Sequence, residues 1–182
     1  MALEDADLVA RVLAVDDRRA FAELVRRHQA ATRSFLRRLC GGDEGRADDL
    51  AQEVFLLAYR GLAEFRGAAK LSTWLHRIAY NRFLADLRSR KLERPEPRQP
   101  PEIEPASGGA HGALLRHDVE RALAYLRPEE RAALALCAVS GMSHSEAAEV
   151  LGCPVGTVKT HVLRGKEKLR DRLRSWQEEA TR

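Results

Sequence analysis

Apolar residues recur along this chain at the three- and four-residue spacing of helices. No segment alternates apolar and polar positions with β-branched enrichment, so the expected fold is all-α, without a sheet. Asp5 is placed to cap a short first helix carrying Leu8, Val9, Val12 and Leu13 on one face. Asp17 is placed to cap a longer one, with Phe21, Leu24, Val25, Phe35, Leu36 and Leu39 inward and an end near Gly41-Gly42. A third helix runs from Gly45 to Tyr59 and buries Leu50, Val54, Phe55 and either Leu57 or Ala58. Gly61 and Gly67 bracket a loop. Ser72 is then expected to cap a fourth helix through Trp74, Leu75, Ile78, Ala79 and Leu87, which leaves in a basic run to Lys91.

Pro95, Pro97, Pro100, Pro101 and Pro105, followed by Ser107, Gly108, Gly109 and Gly112, cannot hold a helical ladder and bury little. Residues 93–112 are therefore expected to be a flexible linker between two small helical domains, 1–92 and 113–175, with 176–182 a tail. In the second, a helix over 113–126 precedes one that starts at Pro128, carries Glu129 and Glu130 in its first turn and ends at Gly141. Ser143 and Glu146 have the spacing of a capping box, Gly152 stops that short helix, and Pro154 opens a last helix to Ser175.

Composition narrows the class. The chain has 182 residues, 45% of them apolar and only 5% aromatic, so the core must be Leu, Ala and Val. Collagen, a disulfide scaffold and wholesale disorder are excluded. No apolar run reaches the ~18 residues of a membrane span, and no basic start leads into an apolar stretch, so a cytoplasmic protein without a secretory signal is expected. Cys40, Cys137 and Cys153 are odd in number and lack C-x-x-C spacing, and the histidines lack metal-site spacing (His111 and His117 flank the linker), so no metal or cofactor is expected. The net charge is only +4, but its distribution is uneven. Arg77, Arg82, Arg88, Arg90, Lys91 and Arg94 crowd 77–94, and seven basic residues fall in 154–174. Two such segments read as two phosphate contacts, or as two solvated helix faces.

The segment 143–164 carries the sharper signal. A short helix, a turn at Gly152 and a second helix make a helix-turn-helix, with Ala147 small at the crossing and Val150, Leu151, Val155 and Val158 spaced to fill the angle. The second helix then offers Thr157, Lys159, Thr160, His161 and Arg164 where a recognition helix meets base edges and phosphates. Lys166, Lys168, Arg170, Arg172 and Arg174 continue as backbone contacts or solvated charge. In the first half, Asp48, Asp49, Gln52 and Glu53 are expected on one helix face and Val54 and Phe55 on the other. Phe65-Arg66-Gly67 and the run Ser72 to Asn81 follow; periodicity alone would equally allow an amphipathic bundle with an ordinary loop.

The strings DDLAQEVFLLAYRGLAEFRG, STWLHRIAYN and CPVGTVKTHVLRGKEKLR, in this order around a Pro-rich linker, resemble the group IV (extracytoplasmic-function) sigma factors of the bacterial sigma-70 family. The resemblance covers nearly the whole chain and implies a sigma-2-like bundle over 1–92 and a sigma-4-like helix-turn-helix over 113–175. It implies that Asp48, Asp49, Gln52, Glu53 and Phe55 dock on the clamp helices of core RNA polymerase. It implies that Phe65, Arg66, Gly67, Lys70, Leu71, Trp74, Arg77, Asn81 and Arg88 meet the −10 element, the loop capturing a flipped base. Phe65 and Trp74 are alternatively core residues, Trp74 especially. For the −35 element it implies Thr157, Lys159, Thr160, His161, Leu163, Arg164 and Lys168. Cys137 and His161 depart from the pattern, standing where relatives often carry basic side chains.

The implied partners are core RNA polymerase, promoter DNA and a separate anti-sigma factor that clamps both domains and masks the Asp49–Phe55 face. No small-molecule substrate and no enzymatic activity are expected, since no nucleophile–base pair, metal set or phosphate loop is visible. Two other readings stand beside this one. A stand-alone helix-turn-helix regulator would bind duplex DNA unaided, although the first half lacks the sheet of a receiver domain. A helical interaction protein for acidic surfaces would show no promoter preference.

Overall fold

The computed structural model describes residues 3–93 and 122–180, and their regular structure is helical throughout. The expected linker beyond Glu93, His111, His117 and most of the helix expected over 113–126 lie outside the described residues. Four helices build the first half: α1 (Asp5–Val15), α2 (Arg18–Leu39), α3 (Glu44–Gly61) and α4 (Leu71–Glu93), with a 3-10 turn at Leu62–Glu64. After a helical stretch at 122–124 come α5 (Pro128–Leu134), a π-helical turn over Ala135–Val139, α6 (His144–Leu151) and α7 (Val155–Ala180).

The helix starts follow local hydrogen-bond chemistry, with two corrections. Asp17 caps α2 as expected, its carboxylate accepting from the Arg19 and Ala20 N–H groups at 3.0 and 3.1 Å. At α1 the cap is Glu4, and Asp5 is instead taken by the α2 side chains Arg27 and His28, at 3.0 and 2.6 Å. Ser72 does not cap α4: the Lys70 carbonyl already accepts the Trp74 N–H at 3.2 Å, which puts Ser72 inside the first turn. Ser143 and Glu146 do form a reciprocal capping box at α6, and Gly152 closes that helix at φ 64°, a left-handed conformation that favours glycine. The last helix runs to Ala180, past the expected end at Ser175, because no glycine or proline follows Ser175 to stop it.

Two apolar clusters hold the described residues together. One joins Leu8, Val9 and Val12 of α1 to Leu24, Ala58, Leu62, Leu71 and Leu75. Leu13 stays 49% exposed, off this stripe. The larger cluster starts with Phe35, Leu36 and Leu39 of α2, takes in Leu50 and Val54 of α3 and Ala79, Tyr80 and Phe83 of α4, and continues without a break into Leu126, Leu134, Leu136, Ala147, Val150 and Val158. The two halves of the chain thus share one core, α6 packing along α4 and α5 against α2. On α3 the inward residue is Ala58; Leu57 is exposed. Val155, expected in the helix-turn-helix angle, is also exposed, while Ala147, Val150 and Val158 fill it.

The C-terminal half has its own fixing points. Glu130 is fully buried and accepts from Lys168 Nζ at 2.9 and 2.8 Å and from Arg127 at 3.0 and 3.1 Å. Burial works against its charge, but Lys168 and Arg127 outweigh it and hold the carboxyl below its ordinary range. Gly165 lets α7 approach α5 closely: a Cβ there would lie 2.6 Å from Leu134 Cδ1.

Candidate nucleic-acid interface

Three surfaces carry the residues singled out by sequence. The first is a groove of about 680 Å³ between α2 and α3. Phe21, Val25, Ala51, Phe55, Leu56 and Tyr59 give it apolar walls, and Gln29, Arg33, Asp48 and Gln52 supply polar groups. Arg33 holds Asp48 at 2.7 Å and keeps its carboxyl below the usual carboxylate range, so Asp48 stays charged at the groove rim. The helix divides the expected acidic face. Asp48, Gln52 and Phe55 line the groove; Glu53 turns to α4 and pairs with Arg82; Asp49 is exposed outside the lining. Phe55 is half-buried, a groove wall that also packs on the α1 cluster. Leu56, 59% exposed, was missed because it breaks the apolar period of α3; that break is itself the sequence signal.

The second surface surrounds the loop between α3 and α4. A pocket of about 140 Å³ is lined by Phe65, Arg66, Gly67, Thr73, Trp74 and Arg77, together with Glu64, Ala68, Ala69 and Glu149. The Phe65 and Trp74 rings lie 5.3 Å apart, tilted by 47°, and both pack partly on the α1 cluster, so they are floor and wall at once. Gly67 takes φ +70° at the loop tip. Leu71 is buried in the core, only 6% exposed, and is not part of this surface. Arg77, Asn81 and Arg88 are exposed at spacings of four and seven residues, which places them in one stripe down α4 from the pocket. Lys70 is exposed but occupied: its Nζ lies 2.9 Å from Glu146 of α6. Glu149 and Glu146 come from the other end of the sequence, and no local pattern announces them here.

The third surface is the start of α7. Lys159, Thr160, Leu163 and Arg164 are exposed and Thr157 is half-buried. The Thr160 hydroxyl donates to the Gly156 carbonyl at 3.0 Å. His161 is half-buried with Nδ1 enclosed and unbonded, so its ring is turned partly inward. Lys168 departs most from its expected role, because its ammonium is bound to both oxygens of Glu130. Cys137 sits in the π-helical turn, half-buried against the core, with its thiol pushed up by burial. Among the described residues no set of side chains could hold a metal ion, and no helix is long and apolar enough to cross a membrane.

Residues 24–93 match the family model of sigma-70 region 2, and residues 116–169 that of sigma-70, region 4. The first match covers the groove from Val25 onward and the loop, the second the helix-turn-helix. The ECF RNA polymerase sigma-E factor of Escherichia coli (strain K12) is 34% identical over 185 residues, covering 94% of this chain and 95% of that protein. The ECF RNA polymerase sigma factor SigE of Mycolicibacterium smegmatis is 36% identical over 157 residues, covering 83% of this chain but 60% of that protein's length. Among solved structures, the sigma factor RpoE from Bartonella quintana, in complex with the anti-sigma factor NepR, matches with a TM-score of 0.73 and 28% identity over 85% of this chain and 96% of that one. This chain belongs to the sigma-70 family, as one of its ECF RNA polymerase sigma factors.

Proposed function

We propose that this chain binds core RNA polymerase through the α2/α3 groove and directs it to promoters with two DNA-contacting surfaces, the loop pocket with the α4 stripe for the −10 element and the start of α7 for the −35 element. The observation that carries this reading is the groove itself. It is apolar along its walls and polar at its rim, it lies on α2 and α3, and its residues from Val25 to Tyr59 fall within the sigma-70 region 2 match. Such a surface suits a partner helix with an apolar face and basic flanks.

Each surface then has a physical task. A base flipped from the duplex costs a few kcal/mol, offset by stacking beside Phe65 and Trp74 and by Arg66 and Arg77 on the phosphates. Lys159 and Arg164 meet the −35 duplex in its major groove, where a few base contacts specify and phosphate contacts give affinity. The covalent chemistry of transcription belongs to the polymerase, so no enzymatic step is assigned to this chain, and it works in the cytoplasm where the polymerase is. Its natural regulator is an anti-sigma factor, in keeping with the complex in which the Bartonella relative was solved.

The test is co-elution of the chain with bacterial core RNA polymerase, beside Gln52→Ala and Leu56→Asp variants. Leu56 is too exposed for its replacement to unfold the bundle. Association lost in both variants supports the reading. Association unchanged in both moves docking away from the groove, and tight promoter binding by the free chain without polymerase favours a stand-alone regulator.

A further inference from the structure

We infer that the docking groove has a second, cationic compartment. Beyond its apolar half, the furrow between α2 and α3 ends in a cleft built from Arg33, Arg37 and Arg38, which takes the carboxylates of an acidic segment continuing from the partner's docked helix.

The cleft is the same furrow carried further along its two helices. It holds about 350 Å³ and is lined by Arg33, Ser34, Arg37 and Arg38 of α2 and by Glu44 and Asp48 of α3. Arg33 and Asp48 also line the apolar groove, so the two hollows meet at that pair. On α2, Arg37 follows Arg33 by four residues; on α3, Glu44 precedes Asp48 by four. Each helix therefore presents its next turn on the same side. From Arg18 to Arg37 the furrow runs about 28 Å, the length of about five helical turns.

The lining changes character at the shared pair. Phe21, Val25, Phe55 and Tyr59 make the first half apolar, whereas the far end carries three guanidinium groups against two carboxylates. Arg33 spans the furrow to Asp48, with Nε 2.7 Å from Oδ1 and Nη2 2.5 Å from Oδ2. One turn on, Arg37 Nη1 lies 2.7 Å from Glu44 Oε1. Arg38 donates to the Ser34 carbonyl at 2.8 Å. Both ion pairs stay open to water: Arg33 and Asp48 are 51% and 44% exposed, Arg37 and Glu44 39% and 69%. Exposed pairs contribute little to folding, so they exchange partners readily. An incoming carboxylate takes Arg33 or Arg37, and the released Asp48 meets a base on the partner's flank. The opposite end of the furrow offers one cation, Arg18, beside Asp16 at 4.0 Å. This asymmetry of charge sets the direction in which the partner helix lies. A protein carboxylate is favoured over a nucleic-acid phosphate because the cleft shares its walls with the docking groove. The residues assigned to DNA lie elsewhere, on the α3–α4 loop, α4 and α7.

The inference rests on the reading of the groove as the site that docks core polymerase, and the experiment separates the two. Fluorescently labelled full-length chain is titrated with bacterial core RNA polymerase and read by anisotropy, at low and at high salt. Arg37→Gln with Arg38→Gln removes two charges from the cleft, and Arg37→Lys with Arg38→Lys keeps them. Glu44→Gln releases Arg37 from its own carboxylate. Arg19→Gln with Arg26→Gln removes two charges from exposed positions of α2 that line neither hollow. Leu56→Asp tests the groove itself. A thermal melt of each variant checks folding; if the glutamine pair is unfolded, Glu44→Gln decides alone.

The glutamine pair should weaken association about tenfold and flatten its salt dependence, and Glu44→Gln should tighten association about threefold. The lysine pair and the α2 control should stay within about twofold of the parent. Weakening by Leu56→Asp, with the glutamine pair and Glu44→Gln at parental affinity, overturns the cationic compartment and leaves the groove reading standing. Parental affinity in Leu56→Asp removes both, because the cleft then continues nothing. A loss as large in the lysine pair or in the α2 control overturns the compartment, since shape or general charge would then explain it. Unchanged association with reduced promoter-dependent transcription in the glutamine pair gives the cleft to nucleic acid and overturns the protein carboxylate.

Discussion

The Lys168 ammonium lies 2.9 and 2.8 Å from the two carboxylate oxygens of Glu130, a residue with no exposed surface. This ion pair turns the back of α7 into a structural element, and removing the lysine leaves a buried carboxylate supported by Arg127. Lys168→Ala is expected to lower stability by about 1–2 kcal/mol, a figure held down because the lysine is half exposed. The sign with pH follows from Glu130, whose carboxyl is held below its ordinary 4.5. Its contribution is fully present above that value and is lost as pH falls through the lowered one. Urea midpoints at pH 7 and pH 3.5 check both points: the wild type should lose more on acidification than Lys168→Ala.

His76 gives a second pH dependence of different origin. It is 3% exposed, packs with its ring centroid 5.0 Å from that of Phe35, and donates from Nδ1 to the Ser72 carbonyl, 2.6 Å away, while Nε2 is buried without a partner. Burial lowers its pKa from 6.5, more than the Ser72 bond raises it. The neutral ring is compatible with the fold and the unfolded chain binds the proton more readily. Stability is therefore full above pH 6.5 and falls as pH drops from there through the lowered folded value. In His76→Leu this slope should vanish, and a melting series between pH 5 and 8 would expose an unchanged slope if another group were responsible.

Gly165 is the point at which α7 touches α5. Gly165→Val forces atoms against Leu134 and should cost roughly 2 kcal/mol, more than the helix gains from losing a glycine. Leu134→Ala in the same chain should recover part of that loss. Additive losses in the double variant would place the effect elsewhere than at this contact.

The exposed face of α7 separates reading from folding. Lys159→Ala and Arg164→Ala should each reduce promoter-dependent initiation by polymerase about tenfold or more, since a base or phosphate contact contributes about 1–3 kcal/mol. Melting temperature and polymerase association should stay at wild-type values. Lys168→Ala should show the opposite pattern, with stability reduced and promoter choice intact.

Helix positions were legible because their causes are local. Periodic apolar residues, the Asp17 and Ser143 caps and the left-handed Gly152 act within a few residues of themselves, so α2, α3, α6 and the start of α7 could be read directly. Where a local group had a better distant partner, the reading slipped. Asp5 left the cap for Arg27 and His28, and Leu71 went into the core in place of the loop surface.

The sequence by itself determined the all-helical class, the two motif-bearing halves and most of the residues that line the three surfaces. The tertiary structure alone decided how those residues are grouped. It divided Asp48 and Gln52 from Glu53, added Leu56 to the groove, withdrew Lys168 to Glu130, and brought Glu146 and Glu149 to a loop some 80 positions earlier in the chain. Hydrogen bonds within a helix depend on residues three and four apart, which a sequence displays. Burial and ion pairing depend on which faces meet, and the chain discloses that only when α6 packs on α4 and α5 on α2.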